Sequence, residues 1–312
     1  MRTLQLLVLS ILLVSFCLPA ANAPAGWVIG WGYNNVGQAI GVQNGIYTNG
    51  LVTVNGEVST NIVAISAAGE HSLALKSDGT VVAWGGNQSS EATVPAGLNT
   101  VKAISAGSAL SLALKTNSTV VSWGYYGITN IPTGLSNVMA ISAGSGHVLA
   151  LKSDGTVIQW GEGGLVIIGL TNVIAIDCAK DRYGDNLVLK SDGTIAAWGP
   201  YANSSLGLSN IIAIAAAGGH SLALRRDGIV IEWHHRSDKT QPVVGISNVV
   251  AIAAAGESSS MALNNDGSVI VWGDKRSQVP AGLSNVVAIA TDGYTYLAIT
   301  TNHAVAEKFR QK

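Results

Sequence analysis

The sequence predicts an all-β fold, a seven-bladed β-propeller whose ring is closed by the N-terminal strand pairing with the last blade. Three observations carry this expectation. One segment recurs seven times at nearly constant spacing, each copy contains a hairpin pattern, and an orphan N-terminal segment matches the piece that the last copy lacks.

The repeat opens at Asn61-Ile-Val-Ala-Ile and recurs from Asn99 (one residue longer), Asn137, Asn172, Asn210, Asn248 and Asn285, with spacings of 38, 38, 35, 38, 38 and 37. Each copy continues as in Ala68-Gly69-Glu70-His71, where a turn precedes alternating Leu73 and Leu75. Asp78-Gly79 then supplies a tight turn, and a β-branched run follows to Trp84-Gly85. Alternation, a positive-φ turn and a second β-rich run are the local rules for a hairpin. With the Asn-led strand before it and a short strand expected near Ala92–Pro95, each unit holds about four strands, the size of a propeller blade. The last unit ends at Thr301–Ala306 without a Trp, whereas Gly26–Gly32 aligns with Gly79–Gly85. The N-terminal strand therefore completes the seventh blade, which removes the free edge of an open array.

Composition agrees. Hydrophobic residues make up 48% of the 312, charged residues only 11%, and the mean hydropathy is +0.36, which excludes a disordered chain and a charged helical bundle. Lys+Arg 17 against Asp+Glu 18 gives no basic footprint for nucleic acid. Residues 1–23 read as a secretory signal: Arg2 is the sole charge, Leu4–Leu18 is almost wholly apolar, and small residues follow. The expected organisation is a signal over 1–23, a propeller over 24–306 and a polar tail over 307–312. The product is placed outside the cytoplasm, as a secreted, periplasmic or cell-surface protein, without a membrane span and as a monomer. Cys178 is the one cysteine beyond the signal, inside an apolar run, and reads as a small buried residue.

The units resemble the regulator of chromosome condensation repeat family. Ala143-Gly144-x-x-His147-x-x-Ala150-Leu151, Asp154-Gly155 and Trp160-Gly161 carry the resemblance, which extends over nearly the whole chain after the signal. It implies the seven-bladed propeller. Val81–Asn87 followed by Glu91–Pro95 is most similar to the secreted β-lactamase-inhibitory members of that family.

Up-and-down strands separate the two ends of the disc. The Asp-Gly turns share one end, and their acids are explained as turn formers. Loops after Ala-Gly and after Trp-Gly share the other, where Tyr33, Tyr125, Tyr126, Tyr183, Tyr201 and Tyr294 are expected, with His234 and His235 as its most basic spot. Tyrosine is enriched in recognition surfaces because it offers large contact area at low entropy cost. These eight residues are the candidate binding face for a protein or glycan partner. The insertion between Tyr33 and Thr60 is expected to be a mobile loop overhanging it. His71, His147 and His220 occupy one repeat position, but they belong to alternate blades and are not expected to converge on a metal. No cofactor motif and no catalytic constellation is present. The leading expectation is a non-enzymatic binding module. The alternatives are an inhibitor of a secreted enzyme such as a class A β-lactamase and, lower, a glycan hydrolase or lyase using loop acids Glu70, Glu162, Asp181, Asp185, Glu257 and Asp274.

Overall fold

The computed structural model describes residues 24–125, 129–162, 166–180, 185–200, 202, 207–234, 240–256, 259–273 and 278–310. They form seven radial antiparallel sheets, in which the order of strands follows the repeat, and a two-stranded hairpin of Thr53–Val54 with Glu57–Val58. In blade 1 the inner strand is Ile62–Ala68, the middle one His71–Lys76 and the outer one Val81–Gly85. Blades 2 to 6 begin at Val101, Val138, Val173, Ile211 and Val249.

Blade 7 is assembled from both ends of the chain. Trp27–Tyr33 lies antiparallel beside Thr295–Thr300, with Ile29 opposite Ala298, and Val286–Thr291 is the inner strand. The ring is then sealed by the same kind of packing between neighbours: the Trp of each Trp-Gly pair shares a hydrophobic cluster with the alternating apolar pair of the preceding blade. Trp123 meets Leu73 and Leu75, Trp160 meets Leu112 and Leu114, and Trp233 meets Leu187 and Leu189. Across the closure Trp84 meets Leu297 and Ile299, while Trp31 meets Met261 and Leu263. Seven copies of one interface leave no free flank, so burial of aromatic surface is distributed around the disc.

The repeated Asn has a backbone cause. Asn61, Asn137, Asn172, Asn210, Asn248 and Asn285 all sit at φ between 54° and 60°, in the left-handed region that Asn tolerates better than most residues. In the second unit the slot belongs to Thr100 (φ 57°), not to Asn99, and this accounts for the extra residue in that copy. The carbonyl of each slot residue accepts the N–H of the residue before the hairpin turn, as in Ser77 N–H to Asn61 O at 2.9 Å. A register shift follows in every inner strand, between Ile62 and Ala64 in blade 1, and bulges of this kind add twist.

Neighbouring inner strands are also latched. The Ala106 N–H donates to Ser66 Oγ, Ala143 N–H to Ser105 Oγ and Cys178 N–H to Ser142 Oγ, each at 3.0 Å. Asp177 continues the series, accepting from Ala216 N–H at 2.8 Å and from the Ser142 hydroxyl at 3.1 Å. Ala215, Ala253 and Ala290 hold the equivalent positions in the remaining blades. Cys178 is fully buried, its thiol donates to Ser142 O, and burial pushes its pKa well above the ordinary range.

Three local expectations are corrected. Among the described residues, blades 3, 5 and 7 have four strands and the others three. Ala92–Pro95 is not a strand, because Asn87 Oδ1 takes the Ala92 N–H at 2.9 Å and Pro95 has no donor to continue a ladder. The Tyr33–Thr60 insertion is ordered: Tyr47–Leu51 is the fourth strand of blade 7, and Asn34, Gln38, Ile40, Leu51 and Val52 are buried. Asn34 organises it by accepting from Ala39 N–H at 2.9 Å and donating to Val42 O at 2.8 Å. At the C-terminus a helix spans His303–Lys308, and Phe309 beyond it packs with Ile29, Leu51 and Val305, so part of the segment expected as a tail is core.

Candidate recognition face

The middle strand of each blade descends from the Ala-Gly loop to the Asp-Gly turn, and the two ends have different chemistry. At the turn end, Asp78, Asp154, Asp192 and Asp266 each accept the N–H two residues on, at 2.9, 3.0, 2.9 and 2.9 Å. Hydrogen bonds from the side chains of Thr80, Thr194 and Ser268, and then these backbone bonds, hold Asp78, Asp192 and Asp266 below the ordinary carboxylate range, while at Asp154 the Thr156 N–H leads and the carboxyl falls to about 2. The acidic ring is turn chemistry repeated around the disc.

The other end is joined by one recurring bond, from the residue after Trp-Gly to the carbonyl before the middle strand. Gly86 N–H to Glu70 O, Tyr125 N–H to Ala109 O, Glu162 N–H to Gly146 O and Tyr33 N–H to Tyr294 O all lie between 2.7 and 2.9 Å. Tyr33 and Tyr125 therefore occupy equivalent sites. The Ala-Gly loops converge on the axis, where glycine is required by close approach: a Cβ on Gly69 would lie 2.5 Å from Ser108 O of the next blade. The repeat His lies just below. His71 and His220 Nε2 are 2.8 Å from Ser111 and Ser260 Oγ, and His147 Nε2 is 2.6 Å from Asn186 Oδ1. Each is a bridge to the following blade, and burial, with a smaller contribution from Lys180, lowers His71 to about 4.

Tyr33 and Tyr294 are brought together, with ring centroids 6.4 Å apart. Tyr47, which sequence reasoning left within the insertion, completes the cluster at 5.6 Å from Tyr33. Tyr47 and Tyr294 are 51% and 55% exposed, and Ile46 beside them is 62% exposed. Tyr125 is 52% exposed on the same end of blade 2, separate from the cluster. His234 ends the third strand of blade 5, half exposed, with its ring 5.9 Å from His220. Tyr126, Tyr183, Tyr201 and His235, together with Asp181, Glu257 and Asp274, lie outside the described residues. Glu70 and Glu162 are exposed, whereas Asp185 is buried.

Beside the tyrosine cluster a cavity of about 510 Å³ opens at the axis, lined in part by Tyr33, Glu70, Lys180, Asp292 and Tyr294. Residues 62–91, spanning blade 1 and the connection after it, match the Regulator of chromosome condensation (RCC1) repeat. Blade 1 carries an RCC1 repeat. The fold is likewise that of RCC1-type propellers. Prp20p from Saccharomyces cerevisiae superimposes over 92% of this chain and 94% of its own, at 17% identity and a TM-score of 0.69. Human WBSCR16 does so over 89% of this chain and 99% of its own, at 16% identity and a TM-score of 0.69. The CRINKLY ectodomain of the Arabidopsis thaliana receptor kinase ACR4 matches 72% of this chain and 87% of its own, at 19% identity and a TM-score of 0.57. A comparison with curated proteins finds no match.

Proposed function

We propose that this RCC1-type propeller is a secreted interaction module that binds a protein partner through the loop end of the disc, with Tyr47 and Tyr294 at the centre of the contact. The carrying observation is the cluster of Tyr33, Tyr47 and Tyr294, two of whose rings stand half exposed beside exposed Ile46. Clustered aromatics of this kind anchor interfaces, whereas scattered ones need no partner. Tyr125 extends the surface towards blade 2. The yeast relative Prp20p supports the reading in kind: its structure is described with its binding to Gsp1p and histones, and it has been solved bound to Kap60. The apolar run at Leu4–Leu18 supports placing the module outside the cytoplasm.

The test immobilises the wild-type chain, a Tyr47→Ala/Tyr294→Ala variant and a turn-end Ser153→Arg control, and exposes each to the extracellular fraction of the source. A protein retained by wild type and by the control, and lost from the double variant with its melting temperature unchanged, is the expected outcome. Equal retention by all three refutes the reading.

A further inference from the structure

Two axial positions are occupied by small residues around almost the whole ring. The first reads Ala68, Gly107, Gly144, Ala179, Ala217 and Ala255, and then Asp292; the second reads Gly69, Ser108, Ser145, then Lys180, then Gly218, Gly256 and Gly293. Both exceptions are charged and both line the axial cavity. Asp292 is only 9% exposed. Its Oδ1 is committed to the N–H groups of Tyr294 and Thr295, at 2.8 and 2.6 Å. Its Oδ2 is buried and has no hydrogen-bond partner among the described residues. A buried carboxylate with one oxygen lacking a donor leaves its negative charge poorly compensated in the cavity wall.

Charge selects the ligand. Lys180 Nζ is drawn aside, donating to Ala67 O at 2.6 Å across the ring. The cavity wall also carries Glu70, so among the described residues two carboxyls and one ammonium line it. Tyr33 and Tyr294 stand at the same wall and offer π faces. The volume falls within the range of small-molecule sites.

We infer that the axial cavity is a binding site for an organic ammonium group, drawn by the negative charge of Asp292 in its wall and held between the Glu70 carboxylate and the tyrosine rings. The site shares Tyr33 and Tyr294 with the partner surface, but amine binding to it is measured without any partner. The same chemistry is offered by a free alkylamine and by a lysine side chain.

Calorimetric titration of the full chain with butylamine, its uncharged isostere butanol, and N-acetyl-lysine methylamide tests the assignment. Butylamine is expected to bind at least about tenfold more tightly than butanol, and to lose about tenfold or more in Asp292→Asn, which keeps the Oδ1 acceptor but not the charge. Glu70→Gln, at an exposed position, is expected to weaken binding by a smaller factor, and it carries the test should the first variant be unstable. Tighter binding of the lysine derivative assigns the site to a protein-borne ammonium, and tighter binding of butylamine assigns it to a free amine. Equal affinity for butylamine and butanol, or undiminished amine binding in both variants, overturns the inference.

Discussion

The buried carboxyl of Asp292 makes a quantitative prediction about folding. Burial raises it from the ordinary 3.8 to about 6, against the backbone donors of Thr295 and Tyr294 and the charge of Lys180, all of which pull it down. An acid whose folded pKa is raised contributes stability that is complete below its unfolded pKa and is lost as pH climbs through the folded value. A shift of this size is worth about 3 kcal/mol, lost between about pH 4 and pH 6. His71 has the opposite dependence. Its pKa falls from 6.5 to about 4, so its contribution is complete above 6.5 and is lost as pH falls towards 4, again by about 3 kcal/mol. Over the same window the two nearly cancel, and the wild type should be almost level from these groups. Asp292→Asn removes the acid limb and leaves the histidine limb. Urea unfolding followed by tryptophan fluorescence at pH 4, 5, 6 and 7 should therefore show the variant gaining on the wild type by about 3 kcal/mol from the lowest pH to the highest. The turn carboxyls, whose pKa values are lowered, act below about pH 4 and are common to both proteins. Parallel profiles for variant and wild type would refute the reasoning.

Three further outcomes concern the backbone and the latches. Thr100 is β-branched in a left-handed slot that Asn fills in the six other units, so Thr100→Asn should stabilise by about 1 kcal/mol and raise Tm by about 2 °C in a scanning melt. Ser105→Ala leaves the Ala143 N–H without its acceptor at a buried position and should cost about 1–3 kcal/mol in denaturant unfolding. Ala215→Ser, at a position where no such latch exists, should gain less than Ser105→Ala loses.

The fold was legible because it is written seven times. Asp-Gly, Trp-Gly and the Leu alternation each have a local cause, and the orphan segment around Trp27–Trp31 could be matched to the Trp-less last unit without knowing where either lay in space. What the pattern could not reveal were the places where one unit departs from it. Thr100 displaces Asn99 from the slot because the constraint is a dihedral angle and not a residue type. The insertion looked flexible from its Gly and Asn content, yet Asn34 ties it down through side-chain bonds that composition does not report. Tyr294 was legible as a loop residue, whereas Tyr33 is the last residue of a strand. Their meeting with Tyr47 depends on pairing that joins the two ends of the chain. Lys180 and Asp292 are visible in the sequence as charges at small-residue positions, but only convergence at the axis gives them a common cavity.

The most direct measurement places a photoreactive phenylalanine analogue at Tyr294 in one protein and at Ser153, on the turn end, in another, and irradiates each with the partner fraction. A crosslinked species from Tyr294 and none from Ser153 is the expected result. Crosslinking from Ser153 with none from Tyr294 would place recognition on the opposite end of the disc and contradict it.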